Sequence, residues 1–300
     1  MQQLYKLLFF LIFLTASIQL QAQNDLLNLL ENDSLNKGQK DYTYATFKST
    51  RVINGQSVET QKAKVLQFLI SHRFGRLNSG AYNFFGLDDA TIRLGLEYGL
   101  TDVLTIGVGR SSLEKTYDGF VKYKVLRQRP SGMPVSVVLF ASTAINTLEF
   151  SDAERDNLFS SRLSYTYQAI IGRKFSDKLS LQLSPTMVHR NLVPTTVDQN
   201  DVYAVGVAGR YKLTKRTSLN AEYFYLLPGE TANDYYNSLS VGFDIETGGH
   251  VFQLHFTNSQ GMLEKFFVPA TNGNWLKGDI YFGFNISRVF SLKKEEKKPY

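Results

Sequence analysis

Residues 162–187 read RLSYTYQAIIGRKFSDKLSLQLSPTM, and their alternation decides the fold. Leu163, Tyr165, Tyr167, Ala169 and Ile171 are apolar, while the interleaved Arg162, Ser164, Thr166 and Gln168 are polar. After the corner Phe175-Ser176-Asp177 the pattern resumes. Leu179, Leu181, Leu183 and Met187 now alternate with Lys178, Ser180, Gln182, Ser184 and Thr186. Neighbouring side chains of an extended chain point to opposite faces, so a period of two makes a strand with one apolar and one polar face.

Working outward from this hairpin, the same period predicts twelve segments: about 62–73, 90–100, 103–111, 116–128, 133–147, 160–174, 178–190, 201–213, 217–227, 236–247, 250–259 and 277–290. None of them reads as a long amphipathic helix. The breaks alternate in length, with the one at 112–115 as the exception. Short ones fall at Thr101-Asp102, Arg129 to Gly132, Phe175 to Asp177, Thr214 to Arg216 and Gly248-Gly249; longer ones cover about 74–89, 148–159, 191–200, 228–235 and 260–276. Short turns on one side and long loops on the other describe an up-and-down antiparallel meander.

A soluble sandwich would also alternate, with its apolar faces turned inward. Three features favour a transmembrane barrel. The segments exceed the usual five or six residues and match the roughly 9–11 that cross a bilayer at a tilt. An even number of strands returns both ends to the short-turn side, as in barrels with short periplasmic turns and longer extracellular loops. The polar faces carry Gly, Ser, Thr and charge, which suits a lumen. Aromatic residues sit at two levels of the apolar faces: Tyr98, Phe175, Tyr211 and Phe290 near the short turns, Tyr117, Tyr203 and Tyr225 towards the long loops. That is the arrangement of two interfacial girdles. On the last strand Ile280, Phe282, Phe284, Ile286 and Phe290 share one face.

Composition agrees. There are 22 Phe, 17 Tyr and 22 Gly against 7 Pro and no Cys in 300 residues, a mix that suits strands. The absence of Cys excludes disulfide scaffolds, thiolate metal sites, cysteine nucleophiles and a lipidated cysteine. A net charge of +6 gives no case for nucleic acid, because Lys6 and the run Lys293 to Lys298 account for half of it.

The expected domains are a signal peptide at 1–22, a lead-in at 23–61, a barrel at 62–291 and a charged tail at 292–300. Lys6 followed by LLFFLIFL (7–14) and a small residue at Ala22 has the layout of a cleaved signal peptide, so the protein is expected to be exported, and the barrel pattern then places it in the outer membrane. Within the lead-in, 25–31 (DLLNLLE) could form two helical turns, and Tyr44 to Ile53 one polar strand turning at Asn54-Gly55. The lead-in would lie in the periplasm or fold into the lumen as a plug, the alternative being a loosely ordered stretch ahead of the barrel.

No catalytic constellation, metal motif or cofactor cradle stands out. His255, beside Gln253 and Thr257, is the one histidine clearly on a polar face, and a nucleophilic serine would need it within hydrogen-bond reach. Asp152, Glu154 and Asp156 form an acidic loop rather than a calcium site. Gly107-Val108-Gly109 and the Gly206–Gly209 pair precede no helix, so they are no phosphate cradle; inward glycines relieve crowding instead. The constellation to follow is the lumen-facing charge: Arg93, Lys122, Lys124, Arg162, Arg210 and Lys212 on earlier strands, Glu222, Asp244, Glu246 and Asp279 on later ones, with Glu97 and Asp118 as exceptions. Opposed rows of charge would set up a transverse field across a passage. The alternative is that these charges pair and fill a closed interior.

Residues 70–128 (ISHRFGRLNSGAYNFFGLDDATIRLGLEYGLTDVLTIGVGRSSLEKTYDGFVKYKVLRQ) resemble a family of uncharacterised β-barrel proteins of Gram-negative envelopes, and 45–59 (ATFKSTRVINGQSVE) is similar to that family too. The resemblance implies an outer-membrane barrel and brings with it no activity, substrate or catalytic residue. From the lumen-facing Arg and Lys residues, the expected function is a narrow porin-like passage for small polar or anionic solutes. The alternatives are a non-conducting docking barrel with an envelope partner, and a barrel enzyme acting on lipid or peptide. Expected partners are outer-membrane lipid and the barrel assembly machinery.

Overall fold

The structure is a computed structural model that describes residues 41–150, 156–229 and 235–292. Twelve antiparallel strands close into one up-and-down barrel: β1 (Val65–Arg76), β2 (Ala90–Gly99), β3 (Leu104–Ser111), β4 (Tyr117–Leu126), β5 (Ser136–Ile145), β6 (Leu163–Lys174), β7 (Leu179–Arg190), β8 (Asp201–Lys212), β9 (Thr217–Leu226), β10 (Ser238–Thr247), β11 (His250–Thr257) and β12 (Tyr281–Ser291). Each strand pairs with its sequence neighbours, and β1 closes on β12 with Leu66 opposite Phe290 and Ile70 opposite Ile286. Each of the twelve predicted segments overlaps one of these strands, and ten contain theirs whole; β1 runs on to Arg76 and β12 to Ser291.

The faces are inverted relative to a soluble protein. On β2, Ile92, Leu94 and Leu96 are exposed while Arg93 and Glu97 are 1% exposed. The outward aromatics Tyr117, Tyr203, Tyr225, Phe175, Tyr211 and Phe290 are all 40% exposed or more. An apolar surface of this extent is stable only against lipid, where a closed barrel leaves no unpaired strand edge.

The short turns repeat one device. At Thr101, Ser176 and Thr214 a hydroxyl accepts the backbone N–H three residues on, from Leu104 (3.0 Å), Leu179 (3.1 Å) and Thr217 (3.0 Å). The side chain stands in for a backbone acceptor where the ladder ends. Gly248-Gly249 makes a two-residue turn with positive φ at both positions, a conformation that needs glycine.

Two expectations change. The polar strand over Tyr44 to Ile53 does not form; the segment bends from residue 46 onward, and a single bridge, Arg51 to Gln56, closes the Asn54-Gly55 turn. Among the described residues no strand pairs with it, and wall side chains bind its backbone instead. The lumen face is also not uniformly polar: Val138, Phe140, Ile170, Val188, Val202 and Phe224 are inward and buried. The signal peptide, the helix at 25–31, Asp152 and Glu154, and the tail at 293–300 lie outside the described residues.

Candidate functional site: the filled lumen

Residues 46–58 lie inside the barrel and are buried except for Lys48, which is half-buried, and they touch the wall on every side. The segment starts at the short-turn rim, where the Thr43 N–H donates to the Gln128 carbonyl at 2.9 Å, and Tyr42 lies beneath the guanidinium groups of Arg127 and Arg129. It runs up the lumen to Asn54-Gly55 and returns to the same rim, where the Lys64 N–H donates to Gly99 O. At the tip, Asn54 reaches Ser240 on β10 and Arg73 on β1, both towards the long-loop end.

The wall holds this segment by its backbone. The carboxylate of Glu222 accepts three consecutive N–H groups, from Ile53 (3.1 Å), Asn54 (2.8 Å) and Gly55 (3.0 Å). On the other side Lys122 donates to the carbonyls of Thr50 (3.1 Å) and Glu59 (2.7 Å), and Arg210 to that of Ala45 (3.2 Å). Gln253 and Asn285 donate to Val52 O and Ile53 O. Buried backbone groups need partners, and a bent segment with no strand neighbour gets them from ionised or amide side chains. Apolar residues complete the fit: Phe47, Val52 and Val58 pack with Phe120, Val138, Phe140 and Ile170. The inward apolar residues of β4–β6 thus bury against this segment rather than against lipid.

A second plug enters from the long-loop side. The 258–280 loop carries a short helix, α1 (Glu264–Phe267); its Phe267 and the following Val268 pack onto Val188, Ala204 and Phe224. Glu264 meets Arg51 at 3.6 Å and accepts from Gln56 at 3.1 Å, so loop and lead-in touch. The space left between Arg51, Asp118, Phe120 and Glu264 is about 10 Å³, room for one water.

The charged residues expected to line the passage distribute as follows. Lys122, Arg210 and Glu222 bind the segment's backbone, as above. Lys124 stands 3.9 Å from Glu59, and Glu246 pairs with Lys48. Asp244 accepts from Gln253 at 2.8 Å. Arg93 forks onto Asp118, donating through Nε at 2.9 Å, and lies so flat over Gly109 that a Cβ there would meet its terminal nitrogen at 2.4 Å. Lys212 is half-buried at the short-turn end of β8. Two positions differ from expectation. Arg162 lies at the rim, in the 3₁₀ turn Phe159–Arg162, where it binds the carbonyls of Asn146 and Leu148. Asp279 lies in the loop before β12 with Arg76 and Asn78. Loop geometry at the barrel ends, which alternation does not describe, moved both. His255 is 1% exposed and neither ring nitrogen has a hydrogen-bond partner among the described residues, so no serine–histidine pair is assembled around it. Its neighbour across Gly283 is Arg73, fully buried, which the sequence reading passed over although it follows Gln67 and Ser71 on the same inward face. The transverse field expected across an open lumen is instead occupied by the lead-in.

Residues 47–290 match a family model described as a membrane bound beta barrel domain (DUF5777). No curated protein matches the chain. Among solved structures, the NanC porin is similar at 9% identity and a TM-score of 0.47, over 76% of this chain and 100% of the other. An outer membrane channel from Pseudomonas putida F1 is similar at 16% and 0.46, over 78% and 98%. The outer membrane phospholipase A of Escherichia coli is similar at 13% and 0.43, over 77% and 91%. Channels and an enzyme share this level of likeness, so it does not choose between activities.

Proposed function

We propose, because the chain belongs to the DUF5777 family of membrane-bound β-barrel domains, that it is an outer-membrane passage for small polar or anionic solutes held shut by residues 45–61. The observation that carries this reading is the grip of Glu222 on three consecutive amide groups of the Asn54-Gly55 turn. A wall that fastens the segment by its backbone fastens it as one removable unit. With the unit withdrawn, Lys122, Arg210 and Arg73 on one side and Glu222 and Asp244 on the other would face water. Excess cationic groups from β1 to β8 favour anions. Outer-membrane lipid is the surrounding medium, and insertion is assigned to the barrel assembly machinery.

A non-conducting docking barrel is the second reading, favoured by the double closure from both ends. Single-channel recording in planar bilayers separates the two. The refolded full chain should be closed with rare steps, and a form lacking 45–59 should conduct with anion preference. Silence from both forms, shown to be inserted, would overturn the passage and leave the docking barrel.

A further inference from the structure

Arg93, Arg51 and Arg190 show how a buried guanidinium is settled in this barrel. Arg93 forks onto Asp118 through Nε and Nη2, Arg51 meets Glu264 at 3.6 Å, and Arg190 meets Asp198 at 3.8 Å. Arg210 spreads its N–H groups over the Ser218 hydroxyl and the carbonyls of Ala45 and Thr46. Arg73, on β1, is not settled. It is fully buried, its Nη2 donates to the side-chain oxygen of Asn54 at the tip of the lead-in, and its Nε and Nη1 have no partner among the described residues. Glu222, whose charge acts on Arg73, spends both carboxylate oxygens on the amide groups of 53–55. Taking a charge out of water without pairing it is expensive, so a guanidinium left with one neutral acceptor is an unfinished site.

The neighbourhood adds a further donor. His255, on β11, comes up to Arg73 across Gly283, where a Cβ would lie 2.2 Å from Arg73 Nη1 and 2.8 Å from His255 Nε2. Neither ring nitrogen has a partner among the described residues. The orientation of Asn54 is fixed by its own amide, because Nδ2 donates to the hydroxyls of Ser240 at 3.0 Å and Thr257 at 3.4 Å and leaves the oxygen for Arg73. One neutral oxygen thus faces a fork built for two charged ones. A carboxylate grips a guanidinium by Nε with Nη2 or by Nη1 with Nη2. Either edge joins the nitrogen that Asn54 now uses to one that is unpartnered.

We propose that Arg73, with His255 beside it, is a binding site for a small carboxylate, and that Asn54 occupies it as a tethered stand-in while the lumen is shut. This rests on the reading of 45–61 as a removable closure, and it names the solute class that releases it. A carboxylate brings two charged oxygens against the single neutral oxygen of Asn54, so it wins the fork and removes the side-chain anchor of the tip. A spherical anion such as chloride carries the charge without the planar, two-pronged match.

The test uses the full chain in detergent micelles, with sodium formate titrated against sodium chloride at matched ionic strength and pH. The readout is hydrogen exchange at the amides of Ile53, Asn54 and Gly55, so no current is needed. Formate should accelerate exchange saturably, by about tenfold, the weight of one hydrogen bond from a charged donor, and chloride should not. Arg73→Gln should abolish the response, and His255→Phe should shift it to severalfold higher formate. Asn54→Asp, which installs a carboxylate in the fork, should also lose the response, and it decides the matter if Arg73→Gln does not fold. Equal acceleration by chloride would overturn the proposal. So would a formate response that survives in Asn54→Asp or Arg73→Gln, or none in the native chain. Flat exchange in a protein whose form lacking 45–59 conducts would remove this site and keep the passage. A saturable formate response in a barrel silent in bilayers would keep the site and remove the passage.

Discussion

Arg51 and Glu264 meet at 3.6 Å inside the barrel, each side chain 3% exposed, although one precedes the first strand and the other lies in the last long loop. This contact joins the segment that enters from the short-turn side to the loop that enters from the opposite end. The lumen is closed by two pieces that lean on each other.

Breaking the pair from one side should therefore be costly. Arg51→Ala leaves a buried carboxylate with Gln56 as its remaining partner, and loss of one member of a buried ion pair costs about 3–5 kcal/mol. The measurement is the heat- or denaturant-induced unfolding transition in detergent. Arg51→Met combined with Glu264→Leu should recover much of the loss, since apolar replacement of both partners is tolerated. Equal damage from the double variant would show that the pair is not the link.

Glu222→Ala should loosen the tip of the lead-in. Three amide groups lose their acceptor, at about 1–3 kcal/mol for each buried group left unsatisfied. Hydrogen exchange at residues 53–55 should accelerate, and channel steps should become more frequent in the full-length protein. Glu222→Gln keeps one carbonyl oxygen and should fall between the two. An unchanged exchange rate at 53–55 in the Ala variant would remove Glu222 from its role as latch.

Gly283→Ala should destabilise the β1–β12 closure. A Cβ at this position would meet Arg73 at 2.2 Å, the His72 carbonyl at 2.5 Å and His255 Nε2 at 2.8 Å. The carbonyl belongs to the backbone and cannot swing aside, so the overpacking cost is about 1–3 kcal/mol. Gly119→Ala, where the nearest atom is 3.9 Å away, is the matched control and should be near neutral in the same unfolding assay.

The rim should respond to acid through Asp279. The Asn78 amide, donating at 2.7 Å, holds this carboxyl below its usual pKa, with help from the Asn274 backbone N–H and the Arg76 charge. A carboxyl whose pKa is depressed on folding stabilises the fold above its unfolded pKa. That contribution disappears as pH falls through the lower, folded value. Protection of the 272–280 loop against hydrogen exchange, taken relative to the intrinsic rate at each pH, should thus fall at acid pH in the native chain, and Asp279→Asn should flatten the dependence. A native profile already flat over that window would show that Asp279 does not tie the loop down.

How much of this was legible beforehand differs by level. The alternation of Leu163 to Ile171 against Arg162 to Gln168 carries strand, face and hairpin together, because a period of two has one geometric solution. Chemistry at Thr101, Ser176 and Thr214 marks the turns for the same local reason. The candidate site was only half visible. Arg93, Lys122, Arg210, Glu222 and Asp244 are inward by alternation, but nothing local says that Lys122 binds the carbonyl of Thr50, 72 residues away. Gly107-Val108-Gly109 reads as room in the wall, and Arg93 over Gly109 shows what the room is for.

By itself, then, the sequence determined the twelve strands, their lipid-facing sides and the membrane they suit, since each follows from neighbours two residues apart. Only the tertiary structure decided that the lumen is filled. Whether Phe140, Ile170 and Phe224 waste apolar surface or bury it depends on segments brought in from 45–61 and 258–280. The same closure decided that charges expected to face one another across water grip a backbone instead. Period and composition describe the wall, whereas the partner of an inward side chain is fixed across the lumen, where sequence distance has no bearing.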